Sequence, residues 1–174
     1  LTNLAGSGAI YNTFIGSDCG DANTTGGYNT FLGDAAGGAN TSGAGNTFVG
    51  QAAGTGCTTG GDNTAIGANA LDACTTVGQL VAIGKHALGT LTTAGTGNSA
   101  VGYNAGGSTT GTDNTFVGHS AASGLTSGAN NVAIGSSAMA GATNTGNHNV
   151  AIGYQALKAL TSAQFNIGIG KDAG

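Results

Sequence analysis

Asn12-Thr13-Phe14-Ile15-Gly16 returns seventeen residues later as Asn29-Thr30-Phe31-Leu32-Gly33, and again as Asn46-Thr47-Phe48-Val49-Gly50. Followed through the chain, the closing glycines are Gly16, Gly33, Gly50, Gly67, Gly84, Gly102, Gly118, Gly135, Gly153 and Gly170, at intervals of 16 to 18 residues. A fixed period of this length marks a solenoid, in which a single coil cannot bury its apolar side and does so only by stacking on neighbours. No linker interrupts the series. Residues 1–174 therefore read as one repeat domain, and a first residue of Leu1 fits an internal or processed piece of something longer.

Composition supports this and removes other classes. The 174 residues include 36 Gly, no Pro and only 6% charged side chains, roughly three times the usual glycine and a quarter of the usual charge. Collagen needs glycine at every third position and proline, and neither is present. Disorder is a poor fit because Ile, Val and Leu recur at a fixed interval. Three Lys, no Arg and a net charge of −4 leave too few cations to neutralise a phosphate backbone, so no nucleic-acid partner is expected. No apolar run approaches the ~20 residues of a membrane span, and no membrane insertion is expected.

Columns of the repeat assign its positions. The residue before each glycine is aliphatic in every copy: Ile15, Leu32, Val49, Ile66, Ile83 and their successors. This column is expected to form the core. The residue one place earlier alternates between Phe (Phe14, Phe31, Phe48, Phe116) and Ala, with Gly168 last. On a strand it must face the other way, so both faces are apolar and the Phe column is expected to meet partner chains. Asn12, Asn29, Asn46, Asn63 and their successors open the motif, with Leu80 the exception. Stacked Asn side chains can bond along the axis, and Asn tolerates a left-handed corner. Three residues after each glycine stands Ala, or Cys19 in the first copy, where only a small side chain fits. Eight residues after each of the first nine stands Thr: Thr24, Thr41, Thr58, Thr75, Thr92 and onward. This second β-branched ladder is expected to form a second strand. Helix is disfavoured throughout by the glycines.

The run Asn149-Val150-Ala151-Ile152-Gly153-Tyr154-Gln155-Ala156-Leu157, with its relatives at 63–71 and 131–139, resembles the head repeats of trimeric autotransporter adhesins and the Gly-rich repeats of bacteriophage tail fibres. The resemblance covers all ten repeats. It implies a left-handed parallel β-roll, three chains side by side as a homotrimer, and an extracellular rod on a virion or bacterial surface that engages a cell-surface glycan or receptor. The period here is longer than in the usual adhesin head repeat, and Phe replaces Ala in four copies.

Catalytic chemistry has little to stand on, and no enzyme, cofactor or metal is expected. His86, His119 and His148 fall in different columns, the seven Asp are scattered, and no Gly-Gly-x-Gly-x-Asp series for calcium occurs. Gly84-Lys85 follows a strand, yet His86 stands where a phosphate loop needs Ser or Thr. No Gly-x-Ser-x-Gly elbow is present. One residue past the glycine the column is variable and polar, with Tyr103 and Tyr154 as the places where a glycan would find an aromatic platform. Asn23-Thr24-Thr25 and Asn40-Thr41-Ser42 are sequons. Cys57 and Cys74 share a column on adjacent coils and form a candidate disulfide in an oxidising environment, whereas Cys19 reads as a buried thiol. The function these features favour is a structural and adhesive fibre segment. The alternative is an ice-binding solenoid using the Thr ladder; a tailspike hydrolase would need paired carboxylate columns that the chain lacks.

Overall fold

The structure, a computed structural model, describes residues 10–91, 93–141 and 143–174. Each coil contributes one three-residue strand: β1 (Thr13–Ile15), β2 (Thr30–Leu32), β3 (Thr47–Val49), β4 (Thr64–Ile66), β5 (Val81–Ile83), β6 (Ser99–Val101), β7 (Thr115–Val117), β8 (Val132–Ile134), β9 (Val150–Ile152) and β10 (Ile167–Ile169). All ten lie in one parallel sheet in sequence order. The register never slips, so Phe14 pairs with Phe31, Phe31 with Phe48 and Phe48 with Ala65. The chain is a parallel β-solenoid, with no helix among the described residues.

Why so short a strand recurs follows from the corners around it. The repeat glycine ends each strand at a φ between 121° and 144°, a region that only glycine enters readily. It also has no room for a side chain, because a β-carbon on Gly16 would collide with the carbonyl oxygen of Gly33 on the next coil. Two and four residues later the backbone is again left-handed, at Asp18 and Gly20 in the first coil and at Asn69 and Leu71 in the fourth. A further left-handed residue precedes each motif Asn, as at Tyr11, Tyr28, Asp62 and His148. The expectation of a left-handed Asn is thus off by one: the residue before it turns, and Asn is spared for hydrogen bonding.

The sequence assignment of inside and outside is reversed. Phe31, Phe48 and Phe116 are fully buried and Phe14 half-buried, whereas Ile15 is 59% and Ile66 38% exposed, with Leu32 exposed and Val49 and Ile83 half-buried. The central residue of each strand points into the coil, and its two neighbours form the outer face of the sheet. The reason is volume. The interior at each level is shared between the strand centre and the residue six places later, and their sizes compensate. Phe14, Phe31 and Phe48 pair with Gly20, Gly37 and Gly54; Ala65, Ala82, Ala133 and Ala151 pair with Leu71, Leu88, Met139 and Leu157. A β-carbon on Gly54 would fall 2.5 Å from Cε2 of Phe48. Where both positions are small, at Ala100 and Gly106, Phe116 and Leu88 reach in from the coils on either side. The Phe rings stack at 4.7 and 4.8 Å, one coil apart. The small column lies inside as expected, with Ala36, Ala53 and Ala70 fully buried.

Candidate functional site

Two hydrogen-bond ladders make the coils into a rod. Each motif Asn closes its own coil: Nδ2 of Asn29 donates to Gly43 O at 2.8 Å and Nδ2 of Asn46 to Gly60 O at 2.9 Å, fourteen residues on. Its Oδ1 accepts the main-chain N–H of the next Asn, at 2.8 Å from Asn12 to Asn29, 2.9 Å from Asn29 to Asn46 and 3.0 Å from Asn46 to Asn63. Leu80 continues the series through its backbone alone, its N–H reaching Asn63 Oδ1 at 3.1 Å. Buried amides whose donors and acceptors are engaged carry no desolvation penalty and fix the register.

The Thr column behaves differently from the expected second strand. Oγ1 of Thr24, Thr41 and Thr58 donates to the carbonyl of Thr41, Thr58 and Thr75 at 2.9, 3.1 and 3.0 Å, and main-chain N–H groups join the same carbonyls. These residues form bends, and outside the ten strands the described bridge is Leu125 with Asn144. A hydroxyl bond on each carbonyl stands in for strand pairing at a corner too curved to extend. Thr92 lies outside the described residues.

Cys57 and Cys74 are on adjacent coils as expected, but as free thiols, and so is Cys19; all three are buried. The two sulfurs are turned differently: Cys57 Sγ faces Leu71 O of the next coil at 3.8 Å, and Cys74 Sγ faces Val77 O of its own coil at 3.4 Å. No disulfide joins them in this structure. Burial pushes the Cys57 thiol far above its ordinary range, and the bond with Cys57 lowers Cys74. Alkylation without reductant is expected to label none of the three in the folded rod and all three in denaturant, which intact mass reads directly. The same interior column holds Asn23 and Asn40, joined from Asn40 Nδ2 to Asn23 Oδ1 at 2.9 Å, so both sequon amides are closed off in the folded protein.

The outward surfaces that carry apolar and aromatic side chains in register are the sheet face and its two margins. The face carries a Thr or Val column (Thr13, Thr30, Thr47, Thr64, then Val81) beside the aliphatic column. One margin holds Tyr11 stacked on Tyr28 at 5.0 Å and His148 stacked on Phe165 at 5.0 Å. The other, one residue past the repeat glycines, runs Lys85, Tyr103, His119, Ser136, Tyr154 and Lys171 on six successive coils, all exposed. There Tyr103 and His119 stack at 5.1 Å, and His86 meets Tyr103 edge-on at 6.4 Å. His119 and His148 thus stack on an aromatic residue of their own column in the adjacent coil, and His86 meets one across columns. The signal for the core was present and missed: the exchange of Phe with Gly for Ala with Leu, six residues apart, is visible in the bare sequence.

Compared with protein families, with curated proteins and with solved structures, the chain matches none.

Proposed function

We propose that the chain is a structural and adhesive segment of an extracellular fibre, of the kind found in phage tails or on bacterial surfaces, whose rods associate side by side as a homotrimer. The observation that carries this reading is the outer sheet face. Nine steps of about 4.8 Å give a strip about 43 Å long, lined from Ile15 to Ile169 by aliphatic side chains that a lone rod leaves partly in water. An apolar surface this continuous is characteristic of an interaction site. The partner surface therefore differs from the Phe column that the sequence suggested, while the association itself stands as proposed.

Mass measurement in dilute buffer is expected to give three chains per particle. Ile66→Asp, on the outer face, is expected to release folded single chains, because a carboxylate confined between apolar faces costs several kcal/mol. Lys85→Ala is expected to leave the assembly intact. A wild-type chain that is monomeric and soluble would overturn the proposal. Ice binding by the Thr ladder is weakened because those hydroxyls already donate along the rod; thermal hysteresis is expected to be absent.

A further inference from the structure

Tyr11 and Tyr28 stand just before the motif Asn of the first two strands, at φ of 60° and 59°, and these left-handed corners set both side chains on one margin. The main chain holds them in register, since Tyr28 N–H donates to Ile10 O at 3.0 Å. Their rings stack with centroids 5.0 Å apart and planes 29° from parallel, while the two residues stay 73% and 65% exposed. Among the described residues the other two tyrosines have no tyrosine beside them. Tyr103 and Tyr154 lie three coil steps apart on the opposite margin, about 14 Å, with His119 and Ser136 between. Tyr103 is flanked by His86 and His119 and Tyr154 by Lys171, and the Tyr154 hydroxyl is bonded to Gln155 Nε2 at 3.0 Å.

This placement decides how the chain responds to a one-electron oxidant. A phenol that loses one electron and one proton becomes a phenoxyl radical, whose unpaired electron lies partly on the two ring carbons next to the oxygen-bearing one. Two such rings held side by side react with each other in preference to distant partners, the advantage of any reaction made intramolecular. Stacking on adjacent coils brings Cε of Tyr11 beside Cε of Tyr28. Exposed side chains turn freely, so rotation of the two rings closes the remaining distance while the buried coils stay in place. The sulfur groups that would consume oxidant first are enclosed: Met139 and the three cysteines are buried, and sulfur oxidation follows exposure.

We propose that Tyr11 and Tyr28 are a covalent cross-linking site, joined as dityrosine through a Cε–Cε bond when a haem peroxidase acts with hydrogen peroxide. Each phenol gives one electron and one proton to the oxidant, and the two ring carbons bond. The hydrogen on each bonded carbon then moves to its own oxygen and restores both phenols. The chain loses two hydrogens in all, and one peroxide becomes two waters. The bond closes the loop between residues 11 and 28 and ties the first coil, where Phe14 is only half-buried, to the second, where Phe31 is fully buried. The site requires neither a second chain nor a ligand.

The folded protein is treated with a haem peroxidase and limiting hydrogen peroxide. Intact mass is expected to fall by two hydrogens, dityrosine fluorescence to appear, and a digest to yield one branched peptide that joins Tyr11 to Tyr28. Tyr28→Phe and Tyr11→Phe, each first matched to wild type by circular dichroism, are expected to cut the fluorescence about tenfold or more. Tyr103→Phe is expected to leave it unchanged. In denaturant the preference for the 11–28 link is expected to vanish, because it comes from the stacked coils. A folded chain whose mass does not fall, linkage through Tyr103 or Tyr154, covalent chain dimers in place of the internal link, or full yield in Tyr28→Phe would overturn the site.

Discussion

Gly54→Leu is expected to unfold the middle of the rod, and adding Phe48→Ala to it is expected to restore much of the lost stability. Phe48 fills the third level of the interior because position 54 has no side chain, and a β-carbon there falls 2.5 Å from the ring. Overpacking of this kind costs about 1–3 kcal/mol. A non-glycine residue at the φ of 58° found at Gly54 adds about 1–2 kcal/mol. Phe48→Ala alone empties the same level at about 3–5 kcal/mol. Together the two substitutions recreate the pair found one coil later, Ala65 with Leu71, where Leu already adopts a φ of 55°. Only the left-handed term should then remain. Because neighbouring coils pack on this level, each single change also weakens the coils above and below. Chemical denaturation of the four proteins forms a double-mutant cycle; losses that simply add would show that the two positions do not share one volume.

Asn131→Ala is expected to produce the second largest loss. Its Oδ1 accepts from Asn149 N–H at 2.9 Å, its Nδ2 donates to Gly146 O at 2.9 Å and to Asn114 Oδ1 at 3.1 Å, and the residue is fully buried. Alanine strands the Asn149 N–H and the Gly146 carbonyl, whereas Asn114 Oδ1 keeps the main-chain N–H of residue 131 at 2.9 Å. Each stranded buried group costs about 1–3 kcal/mol, and the sum is at least about 2 kcal/mol. Thr126→Val is the contrast: its half-buried hydroxyl makes one bond, to Asn144 O at 3.2 Å, whose net worth is about 1 kcal/mol. Denaturation midpoints read both, and hydrogen exchange should quicken at the Asn149 amide in the first variant only. Equal effects would mean that the Asn ladder has no special place in holding the coils together.

The period, the single strand per coil, the glycine corner, the buried small column and the Asn ladder are legible in the sequence, because each repeats one chemical demand at one position. Inside and outside are not legible from polarity, since Ile15 and Phe14 are both apolar and a strand of three residues offers no alternation to break the tie. The volume exchange between Phe14 and Gly20, set against Ala65 and Leu71, does break it. It is seen only when two columns are compared across coils. The Thr column misleads for a related reason: β-branched residues in register suggest a strand, yet Thr24 and Thr41 use their hydroxyls to hold a bend. The stacking of His119 on Tyr103 and of His148 on Phe165 is legible too, since each pair shares a column on adjacent coils; the edge-on contact of His86 with Tyr103 crosses columns, and spacing from the glycine alone does not disclose it.

The exchange of volumes six residues apart, with the amide of each Asn reaching a carbonyl fourteen residues on, means that most coils satisfy their packing and closure within one repeat. A gene for such a rod can gain or lose a whole repeat in frame, and each event changes the reach of the fibre by about 4.8 Å without a compensating mutation elsewhere. Two levels are exceptions: Leu88 and Phe116 from the flanking coils fill that of Gly106, and Leu157 from the preceding coil fills that of Gly168 and Gly174. The three repeats around Gly106 form a unit of inheritance: a break within them leaves a hole that selection removes, while duplications are expected to spread more freely among the repeats that fill their own level.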